Sequence, residues 1–226
     1  MNWVDEQKAA IAEVCRKLYD RNYLVATSGN VSARNADRFL ITPRGTRKDK
    51  MRADLIVECD LDGKPVEGGS PLLQPSTEIA MHKDVYKYRK DVNAAVHAHP
   101  PHCTACSLAS ISLTEMLLPE LAIYIGPVPT VPYATPGTRE LPDAIRPYLA
   151  EHNAFLLMRH GVLVLGKDLE DAYNRLEQLE YIAHVAYLVG SMGSVNPLTK
   201  AELLRLTSQG RRIGLEISRR LLTLLE

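Results

Sequence analysis

The chain has 226 residues, within the range of one sizeable domain with a buried core. Its 27 lysines and arginines balance its 27 aspartates and glutamates, so no cationic field points to nucleic acid or an anionic membrane surface. No apolar run approaches the roughly 20 residues of a membrane span.

An opening amphipathic helix is predicted to about Asp20, with Ile11, Val14 and Leu18 on one face among Glu6, Lys8, Glu13, Arg16 and Lys17. That pattern is neither a signal h-region nor a transit peptide, so the expected location is cytoplasmic. Thr27-Ser28-Gly29-Asn30-Val31-Ser32 is small and polar and reads as a loop, followed by a strand over 38–42 and a turn at Pro43-Arg44-Gly45-Thr46. Residues 55–59 and 64–67 read as a hairpin around Asp62-Gly63. After the loop Gly68-Gly69-Ser70-Pro71, Ser76 or Thr77 is predicted to cap a helix over 78–88.

A strand over 93–97, a helix over 102–109 and a strand over 121–125 come next. The pattern then predicts a helix over 138–152 and strands over 154–158 and 162–165, on either side of His160-Gly161. A long helix over 169–189 carries Leu169, Ala172, Tyr173, Leu176, Leu179, Ala183 and Ala186 at helical spacing. Asn196-Pro197 breaks the chain, and one last helix is predicted from about Thr199 to the end. No repeat or linker divides residues 1–226. A single α/β domain with a mostly antiparallel central sheet flanked by helices is the economical reading.

Three histidines carry the chemistry. Apolar runs precede both Val96-His97-Ala98-His99 and Met158-Arg159-His160-Gly161, so each reads as a buried strand delivering histidine at its end. Alternate residues of a strand point the same way, so His97 and His99 can grip one ion while Ala98 faces away. Neutral imidazole suits zinc, and three protein ligands with an open position make a catalytic arrangement. The alternative for any one of them is a satisfied core histidine. His82, His152 and His184 are read as structural or exposed, and His102 as a candidate support behind His99. Cys103-Thr104-Ala105-Cys106 has redox spacing, yet a single pair is a weak signal, and both are read as small core or helix-face residues.

Six blocks occur in order: Thr27 to Ser32, Leu40-Ile41-Thr42-Pro43-Arg44-Gly45, Pro75-Ser76-Thr77-Glu78, His97-Ala98-His99, Pro132-Tyr133-Ala134-Thr135-Pro136-Gly137-Thr138 and Arg159-His160-Gly161. Together they resemble the class II aldolase/adducin family, nearest its L-fuculose-phosphate aldolase branch. The resemblance implies a three-layer domain and a zinc enzyme, one ion per subunit, forming a homotetramer with sites at subunit interfaces. Zinc would be held by His97, His99 and His160 with Glu78, manganese or cobalt being alternatives. The phosphate of a small sugar phosphate would lie against Thr27, Ser28, Gly29, Asn30, Gly45, Ser76 and Thr77; Arg44, where relatives more often carry a small or polar residue, is expected to add a fixed charge to the phosphate, to meet a neighbouring subunit or to face solvent. Small residues and a helix start suit such an anion cradle physically.

By the same resemblance Glu78 is the proton carrier, while the family's tyrosine acid/base has no match at the corresponding place. Glu120, then Glu115, are the candidates for that role. Pro136 stands where the relatives carry phenylalanine, so the aldehyde pocket is expected to differ. The expected reaction is cleavage of a ketose 1-phosphate (fuculose, 5-deoxyribulose or 5-methylthioribulose) to dihydroxyacetone phosphate and an aldehyde; the latter two substrates would place it in salvage of adenosylmethionine by-products. Alternatives are a methylthioribulose-phosphate dehydratase, a pentulose-phosphate epimerase, and a non-catalytic adducin-like interaction module.

Overall fold

A computed structural model describes residues 2–66, 72–115, 117–193 and 195–226. The strands are β1 (Asn30–Asn35), β2 (Arg38–Ile41), β3 (Val57–Asp60), β4 (Ala94–Ala98), β5 (Thr130–Val131), β6 (Ala154–Leu157) and β7 (Gly161–Gly166). The helices are α1 (Trp3–Asp20), α2 (Ile79–Tyr88), α3 (Pro101–Ala109), α4 (Glu140–Ile145), α5 (Leu169–Met192), α6 (Lys200–Arg212) and α7 (Arg219–Leu225). The strands form one sheet in the order β3-β2-β1-β4-β7-β6-β5. Every pairing is antiparallel except β5 with β6, so the sheet is mixed.

The period-two alternation of the strands builds three layers. Val96, Leu156, Val162 and Val164 face a core shared with Ile11 and Leu18 of α1 and Leu176 and Leu179 of α5. Ala95, Phe155, Leu163 and Leu165 face the opposite core, with Met81 and Val85 of α2 and Leu141 and Ile145 of α4. No helix among the described residues is long and apolar enough to cross a membrane.

The structure corrects several expected elements. Residues 30–35 form a strand in mid-sheet rather than the end of a loop. Its Asn30, Ser32 and Arg34 are buried yet polar because α2 and the turn after it supply their hydrogen-bond partners. Leu121–Ile125 is a π-helical turn and not a strand, since Leu121, Ala122 and Ile125 all enter the core at helical spacing. Two-residue β5 is too short to show an alternation.

The helix expected over 138–152 is α4 followed by a 3-10 turn at Arg146–Tyr148. The single last helix is two, α6 and α7, separated by Gly214 with φ +80°. Neither Ser76 nor Thr77 occupies the cap position of α2, which is Glu78 itself; Ser76 Oγ accepts the Glu78 N–H at 3.3 Å. The hairpin after β3 pairs as far as Val66, whose N–H donates to the Glu58 carbonyl at 2.9 Å. Glu67 and the loop Gly68 to Pro71 lie outside the described residues.

Candidate metal centre and anion cradle

β4 sends His97 onto the α2 side of the sheet, and His99 follows just beyond the strand, its N–H bonded to the Tyr23 carbonyl at 2.9 Å. A three-residue loop between β6 and β7 delivers His160. Its N–H donates to the Leu157 carbonyl at 3.0 Å, and Arg159 before it holds a left-handed φ of +58°. Glu78 enters from the start of α2. The structure thus brings all four expected ligands together, with one ligand nitrogen from each histidine within 4.8 Å of the other two.

The donor set fits a cation. His97 Nδ1–H donates to the Val162 carbonyl at 2.8 Å, which leaves the Nε2 lone pair facing Glu78 Oε2 at 3.2 Å. His160 Nε2 lies 3.5 Å from Glu78 Oε1. Glu78 Oε1, His97 Nε2 and His99 Nε2 are buried without a hydrogen-bond partner among the described residues. Lone pairs converging in a buried space repel unless a proton or a metal ion lies between them.

Burial would raise the Glu78 carboxyl, but the His97 and His160 imidazoles and the Asn30 amide outweigh it and hold it well below the usual range. Burial would likewise lower His97, yet Glu78 beside it holds that imidazole above its ordinary value. Burial and the neighbouring His97 push His99 down to about 3 and His160 down to about 4. Both are therefore neutral near pH 7, the form that binds metals.

A buried polar chain supports Glu78 from behind. Asn30 Nδ2 donates to Glu78 Oε2 at 2.8 Å, so Asn30 Oδ1 faces His82 and accepts from its Nε2–H. That fixes the His82 tautomer: its bare Nδ1 takes the Ser32 hydroxyl proton at 2.6 Å, and Ser32 Oγ in turn accepts from Tyr86 OH at 2.6 Å. Burial, with His97 nearby, drives His82 down to about 3 and keeps it neutral. His82 is thus structural rather than exposed, and its structural work is to orient Asn30. The signal was present in the spacing, since Glu78, His82 and Tyr86 are four apart on α2 while Asn30 and Ser32 are two apart on β1.

Beside the histidines opens a cavity of about 480 Å³, lined by Thr27 to Asn30, Arg44 and Gly45, and Ser76 to Glu78, together with His99 and His160. Every residue of the expected anion cradle is there. Gly29, at φ +74°, has no room for a side chain, since a Cβ would come within 2.8 Å of the His97 carbonyl. Asn30, 2% exposed, spends its side chain on Glu78 and His82 rather than on the cavity.

Glu115 and Glu120 are both exposed, and neither lines this cavity in its own chain. His102 is held by Glu180 and stacks on His184, away from the cluster. His152 is buried and bonded to the Pro127 carbonyl, and Cys103 and Cys106 are buried free thiols.

These shifts predict an acid-sensitive fold when metal is removed. The unfolded chain takes up protons on His82, His99 and His160 near the ordinary 6.5, whereas the folded chain refuses them until about 3 to 4. The contribution of these three is therefore full above pH 6.5 and falls as pH drops toward 4, by up to about 1.4 kcal/mol per pH unit for each histidine, and it outweighs the opposite trend of the single raised His97. Urea unfolding with a chelator from pH 7.5 to 4.5 measures this; a flat profile would contradict the buried neutral assignment.

The profile of the Class II Aldolase and Adducin N-terminal domain matches residues 9–187. An L-fuculose phosphate aldolase of Methanocaldococcus jannaschii is 35% identical over 181 residues, 80% of this chain and 96% of that protein. A 3-oxo-tetronate 4-phosphate decarboxylase of Haemophilus influenzae is 30% identical over 210 residues, 91% of this chain and 98% of that one. Among solved structures, an L-fuculose 1-phosphate aldolase superposes with TM-score 0.84 at 27% identity, covering 93% of this chain and 97% of the other.

Proposed function

The chain belongs to the class II aldolase and adducin family, and on that footing we propose that it is a metal-dependent lyase that breaks a carbon–carbon bond in a small ketose phosphate. The observation that carries this reading is the convergence of three histidines and one carboxylate, with unpaired lone pairs, at the wall of an anion-suited cavity. A divalent ion, zinc by donor type with manganese or cobalt as alternatives, would be held by His97, His99, His160 and Glu78, and bound there supplies a Lewis acid for the ketone and adjacent hydroxyl oxygens.

The chain's own residues do the rest. Thr27, Ser28, Gly29, Gly45, Ser76 and Thr77 seat the phosphate, with Arg44 at the rim. Glu78 carries the proton at the carbon beside the ketone, taking it in the condensation direction and returning it in cleavage. A ketose 1-phosphate gives dihydroxyacetone phosphate and an aldehyde, and fuculose, 5-deoxyribulose and 5-methylthioribulose 1-phosphates are the candidates. A group that takes the hydroxyl proton of the aldehyde half would come from a neighbouring copy as Glu120, or Glu115. A homotetramer with shared sites accommodates that, and the exposed Tyr181, Tyr187, Leu188 and Met192 of α5 offer apolar surface for it.

One observation favours a second reading. Apart from the Glu78–histidine cluster, Arg44 is the one ionisable group among the described cavity residues. Loss of carbon dioxide from a 3-oxo acid phosphate leaves the same dihydroxyacetone phosphate and needs no base on the departing fragment, while Arg44 suits a substrate carboxylate. Both reactions release dihydroxyacetone phosphate, so the second product decides between them: aldehyde or carbon dioxide.

The test combines metal analysis with turnover. The purified protein is expected to hold about one divalent ion per chain, and chelation to lower dihydroxyacetone phosphate release by about 10³-fold or more, reversed on adding zinc. Turnover indifferent to chelators, or no release of that product from any candidate, would end the lyase reading.

A further inference from the structure

Lys48 is one of the most deeply buried charges in the chain, 1% exposed, and it faces no acid. It opens the short 3-10 turn Lys48–Lys50 beneath α1. Its Nζ donates to the Thr27 carbonyl at 2.7 Å and the Thr46 carbonyl at 3.1 Å, and its own N–H donates to the Ala26 carbonyl at 3.0 Å. Among the described residues no carboxylate pairs with it. Its ionisable neighbours are Cys15 of α1, a thiol that burial pushes up to about 12 and so keeps neutral, and the His97 and His99 imidazoles, which its charge pushes down. Arg16, next on α1, adds positive charge and is itself bonded to the Met51 carbonyl.

An ammonium taken out of water and left without a counter-charge costs several kcal/mol. Two carbonyl dipoles offset part of that cost and leave the net charge in place. The carbonyls belong to Thr27 and Thr46, in the two loops whose other sides wall the cavity at Thr27 to Asn30 and at Arg44 and Gly45. Across those loops the cavity offers an open place for the missing negative charge. We propose that Lys48 is a specificity-determining residue: a buried cation directly behind the anion cradle that makes the site select a phosphate dianion over a neutral group. It does so while binding the two cradle loops to each other, without touching the ligand. The inference rests on the phosphate reading of the cavity and goes beyond it, because apart from the Glu78–histidine cluster the lining residues account for hydrogen bonds but supply no positive charge except the exposed Arg44.

Calorimetric titration of the intact protein with inorganic phosphate tests it, using Lys48→Met, Lys48→Gln and Lys48→Arg beside the unaltered chain. Loss of one buried charge partner is expected to weaken phosphate binding by about 10²-fold in the first two variants, while Lys48→Arg stays within a few-fold. In turnover assays kcat/KM for a ketose 1-phosphate should fall through KM by a similar factor. The much slower reaction of the unphosphorylated ketose should change less than threefold, a selectivity that a purely structural tie would not produce. If Lys48→Met fails to fold, the Lys48→Gln and Lys48→Arg pair carries the comparison. Equal phosphate affinity in the unaltered chain and a folded neutral variant overturns the proposal. No phosphate binding by the unaltered chain overturns the cradle reading itself, which is a different result.

Discussion

Glu78→Gln is expected to lower kcat by about 10²- to 10⁴-fold while the protein stays folded and keeps its affinity for inorganic phosphate. The range is that of a lost general acid–base group. Glutamine matches the shape of the carboxylate, and its amide oxygen can still accept the Asn30 amide that now reaches Glu78 Oε2 at 2.8 Å. What it cannot do is carry a proton or a negative charge. Ser76 and Thr77 sit two and one residues before the change and keep their place in the cavity wall. Metal content measured beside kcat separates the two contributions of Glu78. A variant that retains its ion yet turns over slowly has lost the proton carrier, whereas one that loses both has lost a ligand. Turnover within tenfold of the unaltered enzyme, at full metal content, would remove Glu78 from the mechanism.

The parts of this site that were legible in the sequence share one property, which is that a local period carries them. His97 and His99 are two apart at the end of an apolar strand, and an apolar strand leads into the short loop that carries His160, so their convergence followed from strand geometry and the family likeness. The polar chain behind Glu78 escaped notice for the opposite reason. Asn30, Ser32 and Arg34 also recur every second residue, but polar residues at that spacing look like a loop or a solvated edge. Only when α2 lies against them, presenting Glu78, His82 and Tyr86, does their burial make sense. Lys48 was hidden by its surroundings: in Arg47-Lys48-Asp49-Lys50 nothing local says which of four charged residues turns inward. The split of the C-terminal region into α6 and α7 depends on Gly214, whose φ of +80° ends one helix, and glycine in a helical pattern is ambiguous from sequence. Glu115 and Glu120 show the limit of one chain, since both are exposed and neither lines the cavity of its own chain.

Gly161→Ala is expected to lower the melting temperature by about 5 °C or more and to weaken metal binding by about 10²-fold. Gly161 opens β7 with ordinary backbone torsions, so freedom of φ is not what the position requires. Space is. A Cβ there would lie 2.4 Å from the Ala98 carbonyl oxygen and 2.5 Å from His99 Cδ2. The first of these is backbone of β4, whose Ala98 is in register with Val162 of β7. Either the two strands part locally or the His99 ring swings away, and each movement shifts a ligand. Overpacking of this kind costs about 1–3 kcal/mol, which at this chain length converts to several degrees. A ligand displaced by about 1 Å accounts for the lost affinity. Gly190→Ala is the control. Gly190 lies in α5 with nothing within 4 Å of its added Cβ, so there the same methyl should stabilise by about 0.5–1 kcal/mol through helix propensity. Opposite signs from one chemical change would locate the effect in the contact between Gly161, Ala98 and His99. A Gly161→Ala protein with unchanged melting and full metal content would mean that this contact does not hold the three imidazoles in place.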